Sequence, residues 1–430
     1  MNKKDIIKTL IKDFHTKPLR RTKSREYNIP LDIEKVVILT GSRRSGKTSL
    51  LLNTIERLIQ DVPIENIIYI NFEDERLMLK AQELDLILQS FQELYPQKEL
   101  SDCYLFFDEI QEVEGWEKFI RRCDETITRH IYLTGSNAKL LGSEIATALR
   151  GRGYRIEIYP LSFKEYLFFI GIELEFYSTA NRALILNAFE RYLHFGGFPE
   201  LAEVNNDEQK RKILQEYYDV MLFRDIIERY SQTNITAIKY FFKRLVESVK
   251  SPLSISKIHN EMKSLGFRVG KNSLYDFFEY AEAVYFAIPA KKYDLSIKKQ
   301  ELSNKKSYII DNGYLSALTH KYTHDRGKKL ENLIAIELKR REYELLFSQK
   351  GSECDFIIDK EPYALQVSFD TSSFETLERE VNGAINGAKL LGCKRATILT
   401  FDQERTITRN GVDIELMNAW RWLLTTTPSS

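Results

Sequence analysis

At 430 residues the chain has length for two to four domains of ~150 residues, each able to bury its own core. Lys and Arg number 63 against 62 Asp and Glu, a formal net charge of +1, which excludes a global field drawing the protein to nucleic acid or membrane. Apolar residues at 43% and aromatics at 12% give a globular balance, and no Pro/Gly/Ser tract is long enough for a disordered domain. Cys103, Cys123, Cys354 and Cys393 are too scattered for a CxxC pair or a disulfide framework and read as reduced thiols. The charged start MNKKDIIKTLIKDF does not read as a signal peptide, and no stretch approaches ~20 uninterrupted apolar residues, so a cytoplasmic protein without membrane contact is expected.

In chain order, residues 1–30 form a basic segment, nine Lys/Arg against Asp5, Asp13 and Glu26, predicting a helix and an extended approach to the first strand. Within 31–160, apolar runs at Val36–Thr40, Ile67–Phe72, Tyr104–Phe107, Ile131–Thr134 and Arg155–Ile158 alternate with amphipathic helices, the pattern of a parallel sheet covered on both faces. Residues 161–230 read as helices interrupted by the turn Gly196-Gly197-Phe198-Pro199. Residues 231–320 give three helix-sized units and alternating segments near Val284–Ile288 and Ser307–Ile310, the outline of a winged helix-turn-helix. Residues 321–430 give a helix at Leu330–Arg341, strands at Glu344–Ser348, Asp355–Asp359, Tyr363–Phe369 and Thr397–Phe401, and a helix at Glu375–Leu391.

Gly41-Ser42-Arg43-Arg44-Ser45-Gly46-Lys47-Thr48 satisfies GxxxxGK[ST] between a strand and a helix, the context a P-loop requires. Its glycines let backbone N–H groups turn around phosphates, Lys47 can reach the β and γ phosphates, and Thr48 can ligate magnesium. With Ser49, these residues form the candidate nucleotide site. Sixty residues on, Tyr104-Leu-Phe-Phe-Asp108-Glu109 is an apolar strand ending in two carboxylates: Asp108 to hold magnesium, Glu109 as general base toward water. Ile131-Tyr-Leu-Thr-Gly-Ser136-Asn137 ends another strand in small polar residues, either a plain turn or a γ-phosphate contact through Ser136 or, by slight preference, Asn137. Arg150 and Arg152 precede the fifth strand, as a basic loop or as arginines stabilising transition-state charge, in cis or across a subunit interface; Arg152 is the catalytic candidate.

The strings RRSGKTSLL, DEIQEVEGWE, LTGSN, LRGRGYRIEIYPLSFKEYL and GGFPE, in this order, resemble the AAA-type (ASCE) ATPases of archaea and bacteria that carry an uncharacterised C-terminal region. The resemblance implies an α/β P-loop NTPase sheet of order 5-1-4-3-2, a helical lid at 161–230, and a nucleotide role for Gly41 to Thr48, Asp108 and Glu109. ATP and Mg2+ are the implied cofactors.

In the winged-helix segment, Lys271, Asn272, Ser273 and Tyr275 begin the helix that would enter a DNA groove, followed by Asp276, Glu279 and Glu282, which discourage phosphates. Lys291 to Lys306 carries six lysines against Asp294 and Glu301, a basic wing or a solvated face. Farther on, Glu331 on a helix, Asp355 on one strand, and Gln366 and Ser368 on the next resemble the PD-(D/E)xK nuclease fold, in which two acids bind magnesium and a lysine activates water. Here Gln366 replaces the second acid and Ser368 the lysine, with Lys350 as a candidate to enter that space. A degenerate nuclease-like module is expected, with Glu331, Asp355 and Gln366 as a candidate second metal site or a surface helix and hairpin rim. The whole reads as an ATPase driving a C-terminal interaction module toward DNA or a protein partner; the alternatives are an ATP-regulated binding protein with little turnover and an ATP-dependent nuclease. The oligomeric state is left open.

Overall fold

The computed structural model describes residues 2–19, 22–136, 149, 151–176, 178–319 and 325–425. Asn137 and Arg150 lie outside the described residues. The chain divides into two compact units, Met1–Ile158 and Tyr159–Ser430.

The first unit runs α1 (Lys3–Thr16), β1 (Val36–Thr40), α2 (Lys47–Leu58), β2 (Ile67–Asn71), α3 (Asp85–Leu94), β3 (Tyr104–Asp108), α4 (Glu117–Thr126), β4 (Ile131–Gly135) and β5 (Gly153–Glu157). The strands form one parallel sheet in the order β2-β3-β4-β1-β5, the P-loop NTPase arrangement. The continuous apolar runs explain its burial: β1 reads VVILT and is buried at all five positions, because helices cover both faces. Ile38, Ile70, Phe107 and Leu133 pack into one core, and Leu39, Leu51, Phe106 and Tyr132 into a second. Registers Thr40↔Gly135 and Asn71↔Asp108 bring the carboxyl ends of β1, β3 and β4 to one edge, where open α/β sheets bind ligands.

The second unit begins with α5 (Phe163–Phe169), α6 (Thr179–Phe195), α7 (Pro199–Ala202) and α8 (Asp207–Val220), which continues into a π-helix at Met221–Glu228. It goes on with α9 (Ile235–Glu247), α10 (Ile255–Ser264), α11 (Lys271–Ala283), β6 (Ala287–Lys292), α12 (Ile297–Leu302), β7 (Lys306–Ile309), α13 (Asn312–Leu318) and α14 (Arg326–Arg340). β8 (Leu346–Ser348), β9 (Cys354–Ile358), β10 (Tyr363–Val367), α15 (Phe374–Leu391), β11 (Arg395–Thr400), β12 (Arg405–Arg409), β13 (Val412–Asn418) and α16 (Ala419–Thr425) complete it. An eight-stranded mixed sheet runs β12-β13-β11-β10-β9-β8-β6-β7. Lys291 of β6 pairs with Leu346 of β8, so strands from either side of residue 320 lie in one sheet. The helices read from sequence as a lid share their core with this unit: Phe163, Phe189, Phe241, Tyr308, Phe356 and Trp420 belong to a single apolar cluster.

Candidate functional site

The carboxyl end of β1 leads into the loop Gly41–Ser45 and the amino end of α2. A Cβ on Gly41 would lie 2.1 Å from the Ile158 carbonyl oxygen, so only glycine lets the strand end pass. Gly46, at φ 96°, starts α2 from the left-handed region that glycine adopts without steric cost. Lys47 is buried, its ammonium donating to the carbonyls of Gly41 at 3.1 Å and Ser42 at 3.2 Å and lying 3.4 Å from Glu109 Oε1. Arg43 pairs with Glu73 at 2.7 Å, Arg44 is exposed, and Ser49 sits in the first turn of α2.

Asp108 ends β3. Its Oδ2 accepts from Tyr69 OH at 3.1 Å, its Oδ1 from Thr134 Oγ1, and the Thr48 hydroxyl bonds the same carboxylate. The next residue, Glu109, has φ 53° and donates its N–H to Thr134 Oγ1 at 2.8 Å, while Gln111 Nε2 donates to Glu109 Oε2 at 2.6 Å. Burial, then the charge of Glu109, raises the Asp108 pKa. Burial also pushes Glu109 upward, but Lys47, the Gln111 bond and Arg43 outweigh it and leave Glu109 below the ordinary carboxylate value. Two adjacent carboxyls are thus driven apart, and the one beside Lys47 stays ionised.

The residues fit a nucleotide with its magnesium. The hydroxyls of Ser42, Ser45 and Ser136 are buried and have no hydrogen-bond partner among the described residues, on the loops after β1 and β4 whose ends lie side by side. Phosphate oxygens would satisfy such donors. Thr48 and Asp108 already touch, so both can face one cation.

Of the residues singled out from sequence, Lys47, Thr48, Asp108 and Glu109 come together. Arg152 does not. Its carbonyl accepts from Val36 N at the amino end of β1, and its guanidinium lies 2.6 Å from Glu125 and 3.5 Å from Asp124. Five strand residues at ~3.3 Å each separate it from the phosphate loop, so it is no part of this chain's own site. Sequence reasoning missed Thr134, Gln111 and Tyr69, and also Arg25, which donates from the basic N-terminal segment to the Ser45 carbonyl at 2.8 Å.

The C-terminal candidates also converge, but on an ammonium. Lys306 of β7 is wholly buried, with Nζ 2.8 Å from Glu353, 3.4 Å from Glu331 and 3.7 Å from Asp355. Tyr308 OH donates to Glu331 at 2.8 Å. Gln366 is not aimed at a cation: its Oε1 accepts from Asp355 N at 3.0 Å and its Nε2 donates to Glu380 at 2.6 Å. Burial and Glu331 raise the Asp355 pKa, while the surrounding carboxylates outweigh burial and raise that of Lys306. Among the described residues no three His, Cys, Asp or Glu side chains are grouped to hold a metal. Of the residues expected as a second metal site, Glu331 and Asp355 both face the Lys306 ammonium, while Gln366 is bonded to Asp355 N–H and Glu380. Lys350 is exposed and is not the lysine of this cluster. The basic wing is likewise smaller than its six lysines suggest, since Lys306 is buried and Lys291 pairs with Glu301 at 2.9 Å and Glu344 at 3.4 Å.

A family profile described as an AAA domain matches residues 33–167, and a domain of unknown function (DUF8612) matches residues 186–325. The uncharacterized protein MJ1544 of Methanocaldococcus jannaschii is 35% identical over 94% of this chain and 91% of its own length. The chain belongs to the family of that protein. Another family relative, an uncharacterized protein of Haemophilus influenzae, is 32% identical over 79% of this chain and 84% of its own. The first unit is thus the family's AAA-type P-loop domain, a nucleotide-binding unit. The DUF8612 match crosses residue 230, where the sequence reading ended its lid. Solved structures align loosely: Cdc6p of Pyrobaculum aerophilum at 14% identity, covering 70% of this chain and 87% of that one, with TM-score 0.27, and the Aeropyrum pernix Orc1 protein in complex with DNA at 12%, covering 74% and 92%, with TM-score 0.31. Among the described residues no helix is long and apolar enough to cross a membrane.

Proposed function

We propose that the protein is a magnesium-dependent ATPase whose nucleotide state acts as a switch on the second unit. The observation that carries this reading is the convergence of Lys47, Thr48, Asp108 and an ionised Glu109 at one sheet edge beside three buried serine hydroxyls that have no partner among the described residues. Thr48 and Asp108 would hold the magnesium, which supplies positive charge to the phosphates when bound. The loop N–H groups and Lys47 bind and orient the phosphates. Glu109 accepts a hydrogen bond from the attacking water, with Gln111 and Thr134 fixing its direction. ATP turnover tests the proposal: the native protein releases phosphate, Lys47→Ala loses nucleotide binding, and Glu109→Gln retains binding but turns over about 10²–10⁴-fold more slowly. Equal phosphate release by all three proteins rejects it.

A DNA-binding output is the second reading. It is supported by the exposed start of α11, where Lys271, Asn272 and Tyr275 face solvent, and by exposed Lys298 and Lys299. Duplex binding that weakens with salt, and weakens further when these two lysines are neutralised, is the expected result; indifference to salt rejects it. Cleavage is not proposed, since Gln366 stands in place of the second acid and is turned to Asp355 N–H and Glu380.

A further inference from the structure

In the second unit, α6 and α14 flank a half-open cavity of about 350 Å³ lined by Glu190, Leu193, His194, Arg326 and Lys329. Lys329 is only 8% exposed, and its ammonium lies 2.7 Å from His194 Nδ1 and 2.8 Å from Ser316 Oγ. Neither partner is an acid. Arg211 of α8 stands behind the same imidazole, with Nη2 3.5 Å from His194 Nε2. At the rim, Arg326 pairs with Glu190 while its guanidinium lies 4.4 Å from the Phe369 ring centroid and 5.4 Å from that of Phe401.

The charge does not balance. Among the described residues, Lys329, Arg326 and Arg211 bring three positive charges against the single carboxylate of Glu190, a local excess of two from these side chains. A buried cation is ordinarily matched by an anion, since burial alone favours its neutral form. Here burial, then Arg211 and Arg326, pushes the Lys329 pKa down to about 8.

We infer that this cavity is a binding site for a phosphate monoester dianion, held by Lys329 and Arg326. Two negative charges match the local excess, and several oxygens suit an ammonium and a planar guanidinium presented one turn apart on α14. The volume exceeds that of one phosphate group, which leaves room for a small esterified moiety; the Leu193 side chain offers an apolar wall for it. Ligand oxygens would compete with Glu190 for Arg326, whose stacked position on the two phenylalanines is already set.

The test uses the full chain carrying Lys47→Ala, so that the P-loop does not contribute phosphate binding. Inorganic phosphate and glycerol 3-phosphate are titrated calorimetrically, with glycerol and with chloride at matched ionic strength as controls. Saturable binding of both phosphates at one site per chain is expected, with none for the controls. Adding Lys329→Met should weaken it by at least about tenfold, the loss of a hydrogen bond to a charged group. Arg326→Gln, at a side chain 45% exposed and thus tolerant of change, should weaken it as well, and it decides the matter should the lysine variant fail to fold. ATP turnover of Arg326→Gln in the otherwise native chain should be unaltered, which separates this site from the P-loop. Absence of phosphate-specific binding, or binding unchanged by Arg326→Gln, overturns the inference.

Discussion

Glu109 holds a left-handed backbone conformation, φ 53°, which costs a residue with a Cβ about 1–3 kcal/mol. The arrangement that retains it runs through Thr134, whose hydroxyl accepts the Glu109 N–H and donates to Asp108. Thr134→Val keeps the shape and removes both bonds, leaving a buried N–H unpaired. A stability loss of about 1–3 kcal/mol is expected, together with a fall in kcat of tenfold or more and little change in KM. Denaturant melts and steady-state turnover check it; native kcat in a folded variant would dismiss the positioning role. Sequence could read Lys47, Asp108 and Glu109 because each lies in a consecutive, recognisable string. It pointed to Ser136 and Asn137 rather than Thr134, because pattern marks a strand's end while the useful hydroxyl sits inside the strand. Lys306 was hidden for another reason: its partners lie 25 to 49 residues away, and a lysine in a lysine-rich run reads as surface. Lys306→Met should destabilise the protein by about 3–5 kcal/mol, as buried Glu331 and Asp355 lose the ammonium between them and Glu331 keeps only Lys250 at 3.5 Å. Coupling in a double-mutant cycle is the measurement: Lys306→Met with Glu331→Gln should cost less than the sum of the two single changes. Strict additivity would show that the two charges do not depend on one another.

At the level of elements, the turn Gly196–Pro199 was visible as an interruption between helices, but its partner was not. Asp311, buried at the start of α13, accepts Gly197 N–H at 2.7 Å and Gly313 N–H at 2.7 Å. A Cβ on Gly196 would lie 1.6 Å from the same carboxylate, so the first residue of that turn is dictated by a residue more than a hundred positions away. Burial outweighs the two N–H donors and pushes the Asp311 pKa up to about 7. The folded value lies above that of the unfolded chain, so this group's stabilisation is complete below pH ~4 and is lost as pH rises through ~7. Asp311→Asn removes the titration and one acceptor. Relative to that variant, the native protein should lose up to about 4 kcal/mol between pH 4 and pH 8. Parallel stability profiles for the two proteins over this range would count against Asp311 as the titrating group. The hairpin β12–β13 was missed although its signal was present: Asn410 and Gly411 take φ 52° and 75°, the paired left-handed residues of a tight hairpin turn. β12, RTITR, lies at the sheet edge with charged ends and little apolar content, so hydrophobic patterning alone passes over it.

At the scale of the whole molecule, the near-zero net charge conceals local surpluses that have different fates. Part of the lysine run at 291–306 is consumed by buried or paired acids, whereas the cations around Lys329 outnumber theirs. The sheet order of the first unit followed from alternating strands and helices and the family resemblance. The extent of the second unit did not, because helices 161–230 bury their aromatic faces in a core assembled from segments as late as Trp420, and no local pattern specifies a partner that distant. This division bears on the switch proposal directly. Nucleotide binds the first unit, so at 100 times its dissociation constant it should stabilise that unit by about 2.7 kcal/mol, raising its melting temperature by roughly 5–10 °C at this length. A switch requires more than this. The free energy of binding must also reach the second unit, whose unfolding should then move with nucleotide and cease to move in Lys47→Ala. Calorimetric scans with and without Mg-ADP and a non-hydrolysable ATP analogue separate the cases, with the second unit followed through its buried Trp420 and Trp422. A shift confined to the first unit's transition would leave a protein that binds nucleotide without transmitting it, and the switch would have to be abandoned.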